Sequence, residues 1–199
     1  TVLVKELVHF KHMGLAQPML LLDKGFDSEA NRNRLLDARL KFLMMADGSR
    51  DWIKKLQEKH RATMRVPSRM FFYQDDRYYA VSEVCSLGSE GNRRCYVHVY
   101  YCSRLAESRL NRFNEKLRAY YDQLCSGDSL SVIPKSFQKY FTVKDTPKRG
   151  RSVVLDEDAA VAREQGFSAM FVLVTNVKMD AKKALQLYRE RDSVEKFFD

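Results

Sequence analysis

Pro18-Met-Leu-Leu-Leu-Asp-Lys-Gly-Phe26, then Asp27-Ser-Glu-Ala-Asn31, then Leu40-Lys-Phe-Leu-Met-Met45 form one legible unit. The first run is short, unbroken and apolar, and reads as a buried strand that ends at Asp23 and turns at Gly25. Asp27 or Ser28 is placed to cap a helix over about 29–38, with Leu35 and Leu36 on its apolar side. The run from Leu40 to Met45 is a second buried strand. Strand, helix, strand units build parallel or mixed sheets with helices on their faces, and ligand sites lie off the carboxyl ends of the strands. The expected class is α/β, with Asp23 at one of those ends.

Around this unit the 199-residue chain carries 35 Lys+Arg against 26 Asp+Glu, a formal charge of +9, and is 45% hydrophobic. That length and apolar share suffice for a substantial core, which excludes a disordered chain or a small disulfide scaffold. One domain with an inserted subdomain is expected. The longest apolar runs, Pro18–Leu22 and Ala169–Val174, fall far short of the roughly 18 residues that cross a bilayer, so no membrane span is expected. Residues 1–10 lack a secretory signal, and without an initiator Met the chain is expected to begin inside a larger protein. Cys85, Cys95, Cys102 and Cys125 form no C-x-x-C pair, and His98 is the only histidine near them. Reduced thiols in a cytoplasmic protein fit better than a zinc site. The charge suits a polyanion such as nucleic acid, although charge alone does not decide it.

The middle of the chain has a different texture. Residues 66–102 are rich in aromatic and β-branched types and read as an antiparallel meander with turns at Asp75-Asp76 and Gly88–Asn92. A helix over about 104–124 follows, then a basic loop from Lys144 to Arg151, a short helix over 156–165 and a strand over 167–174. The expected division is 1–60 as the first part of a core, 61–165 as an insertion of β meander plus helices, and 166–199 as the return to the core. Each single cation reads first as part of a solvated face, but two basic runs point to some phosphate contact: Lys144, Lys148, Arg149 and Arg151, and Arg50, Lys54, Lys55, Lys59, Arg61 and Arg65. Lys24, beside Asp23, joins them. Trp52 is read as an anchor of its helix on the core, with stacking on an unpaired base as the alternative. His98 is read as structural, and Phe71, Phe72, Tyr73, Tyr78 and Tyr79 as sheet packing.

Asp180 is placed to cap a final helix from Ala181 to at least Phe198. At about 100° per residue, Arg191 falls roughly 60° and Glu195 roughly 20° to one side of Tyr188. These three form a polar stripe bordering the apolar side of Leu187, Val194 and Phe198. An ordinary amphipathic helix with an Arg191–Glu195 ion pair would have the same geometry.

The spacing Tyr188-x2-Arg191-x3-Glu195, with the strand-terminal Asp23 in Leu-Leu-Asp-Lys-Gly-Phe, resembles bacterial insertion-sequence transposases of the DDE class, in the group with the signature Y-x2-R-x3-E-x6-K. Phe171-Val-Leu-Val-Thr-Asn176, Tyr188-Arg-Glu-Arg-Asp-Ser-Val-Glu-Lys-Phe-Phe198 and Asp23-Lys-Gly-Phe-Asp-Ser-Glu-Ala-Asn31 extend the resemblance. It spans essentially the whole chain, with its specific motifs in 18–45 and 167–199. It implies a ribonuclease-H-like core with three carboxylates and a mostly β insertion between the second and third. Asp23 resembles the second acidic residue and Glu195 the third, both catalytic and both metal ligands. Tyr188 and Arg191 resemble the residues that contact DNA near the transposon end. The cofactor implied is Mg²⁺ or Mn²⁺ in a two-metal site, suited to carboxylate oxygens and to in-line attack on a phosphodiester. The partners implied are transposon-end and target DNA, bridged by a homodimer, in the bacterial cytoplasm and on the nucleoid when DNA is bound. Residues 1–22 hold no Asp and only Glu6, so the first acidic residue is expected upstream of Thr1, and the signature lysine beyond Asp199. This internal piece is therefore expected to cleave little or nothing alone. The alternatives are a metal-dependent nuclease with a related core and a non-catalytic DNA-binding remnant.

Overall fold

The computed structural model describes residues 19–88, 90–164 and 170–195. Its order is β1 (Met19–Leu22), α1 (Glu29–Asp37), β2 (Lys41–Met45), α2 (Asp51–Arg61), β3 (Met70–Tyr73), β4 (Asp76–Leu87), β5 (Arg93–Cys102), α3 (Ser103–Cys125), α4 (Lys135–Gln138), β6 (Phe141–Thr146), β7 (Gly150–Leu155), α5 (Glu157–Glu164), β8 (Met170–Thr175) and α6 (Ala181–Glu195). The class is mixed α/β. Among the described residues no helix is long and apolar enough to cross a membrane.

The strand, helix, strand unit forms as its residues dictate. Ser28, rather than Asp27, caps α1 by accepting from the Asn31 amide at 3.1 Å. The crossover makes β1 and β2 parallel, Leu22 beside Met44, so their carboxyl ends share one edge of the sheet. The full sheet has the order β1-β2-β8-β5-β4-β3, and every pairing except β1 with β2 is antiparallel. β8 enters between β2 and β5, and its last residue and the one that follows lock it there. Thr175 Oγ1 donates to the Phe42 carbonyl at 2.6 Å, while the Asn176 side chain accepts from the Phe42 amide and donates to the Leu40 carbonyl.

Alternation along β5 assigns the two sheet faces. Tyr100, fully buried, stacks on Phe171 at 4.8 Å and donates from its hydroxyl to the Ala181 carbonyl at 2.7 Å, which seats α6 on that face. Asp180 caps α6 through the Lys183 amide. On the other face Ile53, Gln57 and His60 of α2 turn inward, and His60 meets Glu83 of β4 at 2.8 Å.

The chain divides into two compact units, Thr1–Cys102 with Met170–Asp199, and Ser103–Ala169. This differs from the division at 60/61 and 165/166. The strands of 70–102 belong to the main sheet, because β5 buries Cys95, Val97, Val99 and Tyr100 and has a partner on each edge, β4 and β8. In the second unit, α3 and the β6–β7 hairpin enclose Leu117, Leu124, Ile133, Tyr140 and Phe141. The expected basic loop at 144–151 is therefore mostly hairpin, its tight turn supported by Gly150 at φ 70° and by the Arg149 amide donating to Thr146 Oγ1. The start of the strand expected at 167 and the end of the helix expected at Phe198 lie outside the described residues.

Candidate active site

The site begins where β1 stops. After Leu22 the chain makes a single turn, Lys24–Phe26, closed by the Phe26 amide donating to the Asp23 carbonyl at 3.0 Å. Asp23 is thus left at the lip of the sheet with its side chain 52% exposed. Opposite, Tyr188 and Arg191 stand three residues apart on α6 and share one face of it. Tyr188 is only 2% exposed, yet its hydroxyl reaches out to donate to Asp23 Oδ1 at 3.1 Å. Arg191 Nη1 donates to the same Oδ1 and to the Tyr188 hydroxyl at 3.2 Å, with the guanidinium 4.8 Å from the centre of the tyrosine ring. Burial pushes the Tyr188 hydroxyl up to about 12, against the opposing pull of the Arg191 charge, so it remains a neutral donor at physiological pH.

No family model, curated protein or solved structure matches this chain. The site therefore stands on its own residues. Of those read from the sequence, Asp23, Tyr188 and Arg191 converge on a single carboxylate oxygen. Arg191 and Tyr188, expected on DNA, here hold Asp23. Lys24 is exposed beside Asp23, and its charge helps to lower the Asp47 carboxyl. Glu195 is the last residue of α6, and its side chain lies outside the described residues. Lys148, Arg149 and Arg151 belong to the second unit. Lys148 and Arg149 are exposed at the hairpin turn, while Arg151 pairs with Asp145 at 3.6 Å and donates to the Asp128 carbonyl.

A second acidic residue, Asp27, legible in the sequence only as a candidate helix cap, organises the support beneath Asp23. Asp27 is buried, ion-paired to Arg32, and accepts from the Asp47 amide at 2.7 Å. Its carbonyl accepts from Arg50 Nη2 at 2.6 Å. These bonds tie the turn after β1 to the turn after β2. Trp52 closes the group with its ring under the Arg32 guanidinium at 5.4 Å, in the anchoring role expected of it. Asp47 lies on the same edge, its carboxyl held below the usual range mainly by hydrogen bonds from the Ser49 amide and hydroxyl. Asp27 and Arg32 are five apart, a spacing with no helical or strand signature, so only their shared burial could have flagged them.

Other candidates resolve simply. His98 is fully buried, 2.7 Å from Ser82 Oγ, and burial pushes its imidazole down to about 4. Phe71 stacks on Tyr78 as sheet packing requires, whereas Phe72 is 58% exposed on the edge strand β3 and does not fit that reading. The four cysteines are free thiols. Among the described residues no group of three or more His, Cys, Asp or Glu is placed to hold a metal ion.

Asp23 nevertheless suits a hard divalent cation in its donor chemistry, being a carboxylate oxygen donor half open to solvent at a strand end. Chemically, the arrangement offers one carboxylate for a cation, one guanidinium for an anion, and a neutral phenol that orients the carboxylate.

Proposed function

We propose that this chain is part of the catalytic domain of a bacterial insertion-sequence transposase of the DDE class, carrying out metal-dependent phosphodiester hydrolysis and strand transfer at the element's ends. The reading assigns Thr1–Cys102 with Met170–Asp199 to a ribonuclease-H-like core. Its main support is the convergence of Tyr188 and Arg191 on Asp23, from 165 and 168 residues away. Two motifs joined only by a resemblance in spacing are thereby joined by hydrogen bonds as well.

In this mechanism Asp23 and Glu195 would hold Mg²⁺ or Mn²⁺. When bound, the ions supply Lewis-acid activation of the attacking oxygen and stabilisation of the leaving one. The chain's own residues do the rest. Tyr188 fixes the orientation of the Asp23 carboxylate, Arg191 presents two or more donors to a phosphate, and Lys24 adds positive charge at the lip. The Asp27–Arg32 pair keeps the two turns at the sheet edge in register, so that Asp23 is presented from a rigid support. Lys148, Arg149 and Arg151 are phosphate contacts of the second unit by itself, and a homodimer bridges two DNA ends on the nucleoid.

The test is strand joining by the full reading frame that contains these residues. Asp23→Asn and Glu195→Gln should each cut joining of labelled transposon-end DNA by about a thousandfold or more while leaving duplex binding intact. Binding by the 199-residue chain should weaken with salt at a slope near −4 to −5, as expected for about five neutralised phosphates. Cleavage without joining would favour a nuclease of related core, and joining that survives Asp23→Asn would remove the proposal.

A further inference from the structure

Arg191 occupies the carboxylate that the proposed chemistry needs. Its guanidinium sits on Asp23 Oδ1, the oxygen that also accepts from Tyr188. A cation in that position neutralises the carboxylate and repels an arriving dication. The Asp23 end of the pair is open to solvent, its side chain 52% exposed against 20% for Arg191, so water screens the contact where a competing ligand would arrive. A phosphodiester is a natural competing partner, since it offers a guanidinium two oxygens in a matching plane. The Tyr188 ring gives the guanidinium a face on which to turn, and the buried Tyr188 hydroxyl can keep its bond to Asp23 after Arg191 has moved.

From this geometry we infer that Arg191 is a substrate-operated cover on Asp23: it neutralises the carboxylate in the free protein, transfers to a DNA phosphate on docking, and so exposes Asp23 to a divalent cation only when DNA is in place. The inference rests on the proposed role of Asp23 as a cation ligand. It extends that role to a coupling between two ligands, which must be reciprocal: DNA tightens cation binding, and the cation tightens DNA binding by the same factor. Tyr188 is then a positioning residue that serves both states, and Arg191 is shared between an acidic and a phosphate partner.

The experiment measures Mn²⁺ binding to the 199-residue chain by the paramagnetic resonance of free Mn²⁺, with and without a short DNA duplex. The native chain is compared with Arg191→Gln and Asp23→Asn, and circular dichroism checks that each is folded. Without DNA, Arg191→Gln should bind Mn²⁺ about tenfold more tightly than the native chain. Adding duplex should raise the native affinity by a similar factor and leave that of Arg191→Gln almost unchanged, while Asp23→Asn should remove the DNA-enhanced binding and the gain from Arg191→Gln alike. Equal affinities for the native chain and Arg191→Gln, both sensitive to Asp23→Asn, would overturn the cover and leave the role of Asp23 standing. Binding that ignores Asp23→Asn in every background would remove that role and the cover with it. If Arg191→Gln does not fold, the ¹⁵Nε resonance of Arg191 in the native chain decides the matter: it should shift on adding duplex, and a resonance unmoved by saturating DNA would overturn the inference.

Discussion

Asp23 and Asp27 lie four residues apart on one turn, and each is ion-paired to an arginine, yet their surroundings are opposite. Asp27 is buried, with Arg32 and the Asp47 amide as its partners. Asp23 is half exposed and is met by Arg191 and Tyr188 from a helix far along the chain. A buried, fully partnered carboxylate serves the fold, because removing one member strands a charge away from water. An exposed carboxylate with exchangeable partners adds little to stability and is left open to ligands. Sequence neighbours of the same chemical type are thus separated into support and site by burial alone.

The largest effect that would break this contrast is on Asp27. Asp27→Ala should destabilise the protein by about 3–5 kcal/mol, lowering the melting temperature by roughly 10 °C, because it leaves the Arg32 charge buried and unpaired. Asp23→Ala should cost about 1 kcal/mol or less. Thermal melts of the two variants side by side check this, and equal losses would erase the distinction.

Acid titration sharpens the contrast from another side, through a buried group that has no partner charge of its own. His98 is kept neutral in the fold, its imidazole pushed down to about 4 chiefly by burial and only partly offset by the Asp180 charge. In the unfolded chain it takes up its proton near 6.5, so between those values the unfolded state binds more protons than the folded one. Its contribution is therefore fully present above about pH 6.5 and is lost as pH falls towards 4, to a total of about 3 kcal/mol. Denaturant melts across that range should show the slope, and His98→Gln should flatten it.

The smallest effect concerns the hydroxyl that bridges fold and site. Tyr188→Phe keeps the buried ring and removes one hydrogen bond to the half-exposed Asp23, so a loss of about 0.5 kcal/mol, no more than that of Asp23→Ala, is expected in urea melts. A loss as large as that of Asp27→Ala would make Asp23 part of the structural support rather than its exposed counterpart.

Much of this was legible in the amino-acid order. The run into Asp23, the cap at Ser28 and the stretch Leu40–Met45 show a strand, a helix and a strand because each signal is local, spanning one turn of helix or one short apolar run. The spacing of Tyr188 and Arg191 shows that they share a helix face for the same reason. Three features were not legible. The strands of 70–102 have the texture of an insertion, yet β5 lies inside the main sheet between β4 and β8. The hairpin of β6 and β7 has the look of a loop in sequence because its basic residues mask the alternation of Val143, Val153 and Leu155. Asp27 shows in the sequence only as a candidate cap, because its partners Arg32 and Asp47 follow no local period.

By itself, then, the sequence determined which segments become strands and helices near the site and which side chains share a helix face, since periodicity and capping act within a few residues of the chain. Tertiary structure alone decided that β8 threads between β2 and β5, that Asp27 goes inward while Asp23 stays at the rim, and that Tyr188 and Arg191 meet Asp23 across 165 and 168 residues. Backbone ladder bonds are blind to side-chain identity, so strand neighbours are chosen by which faces can be buried together, a property of the assembled sheet.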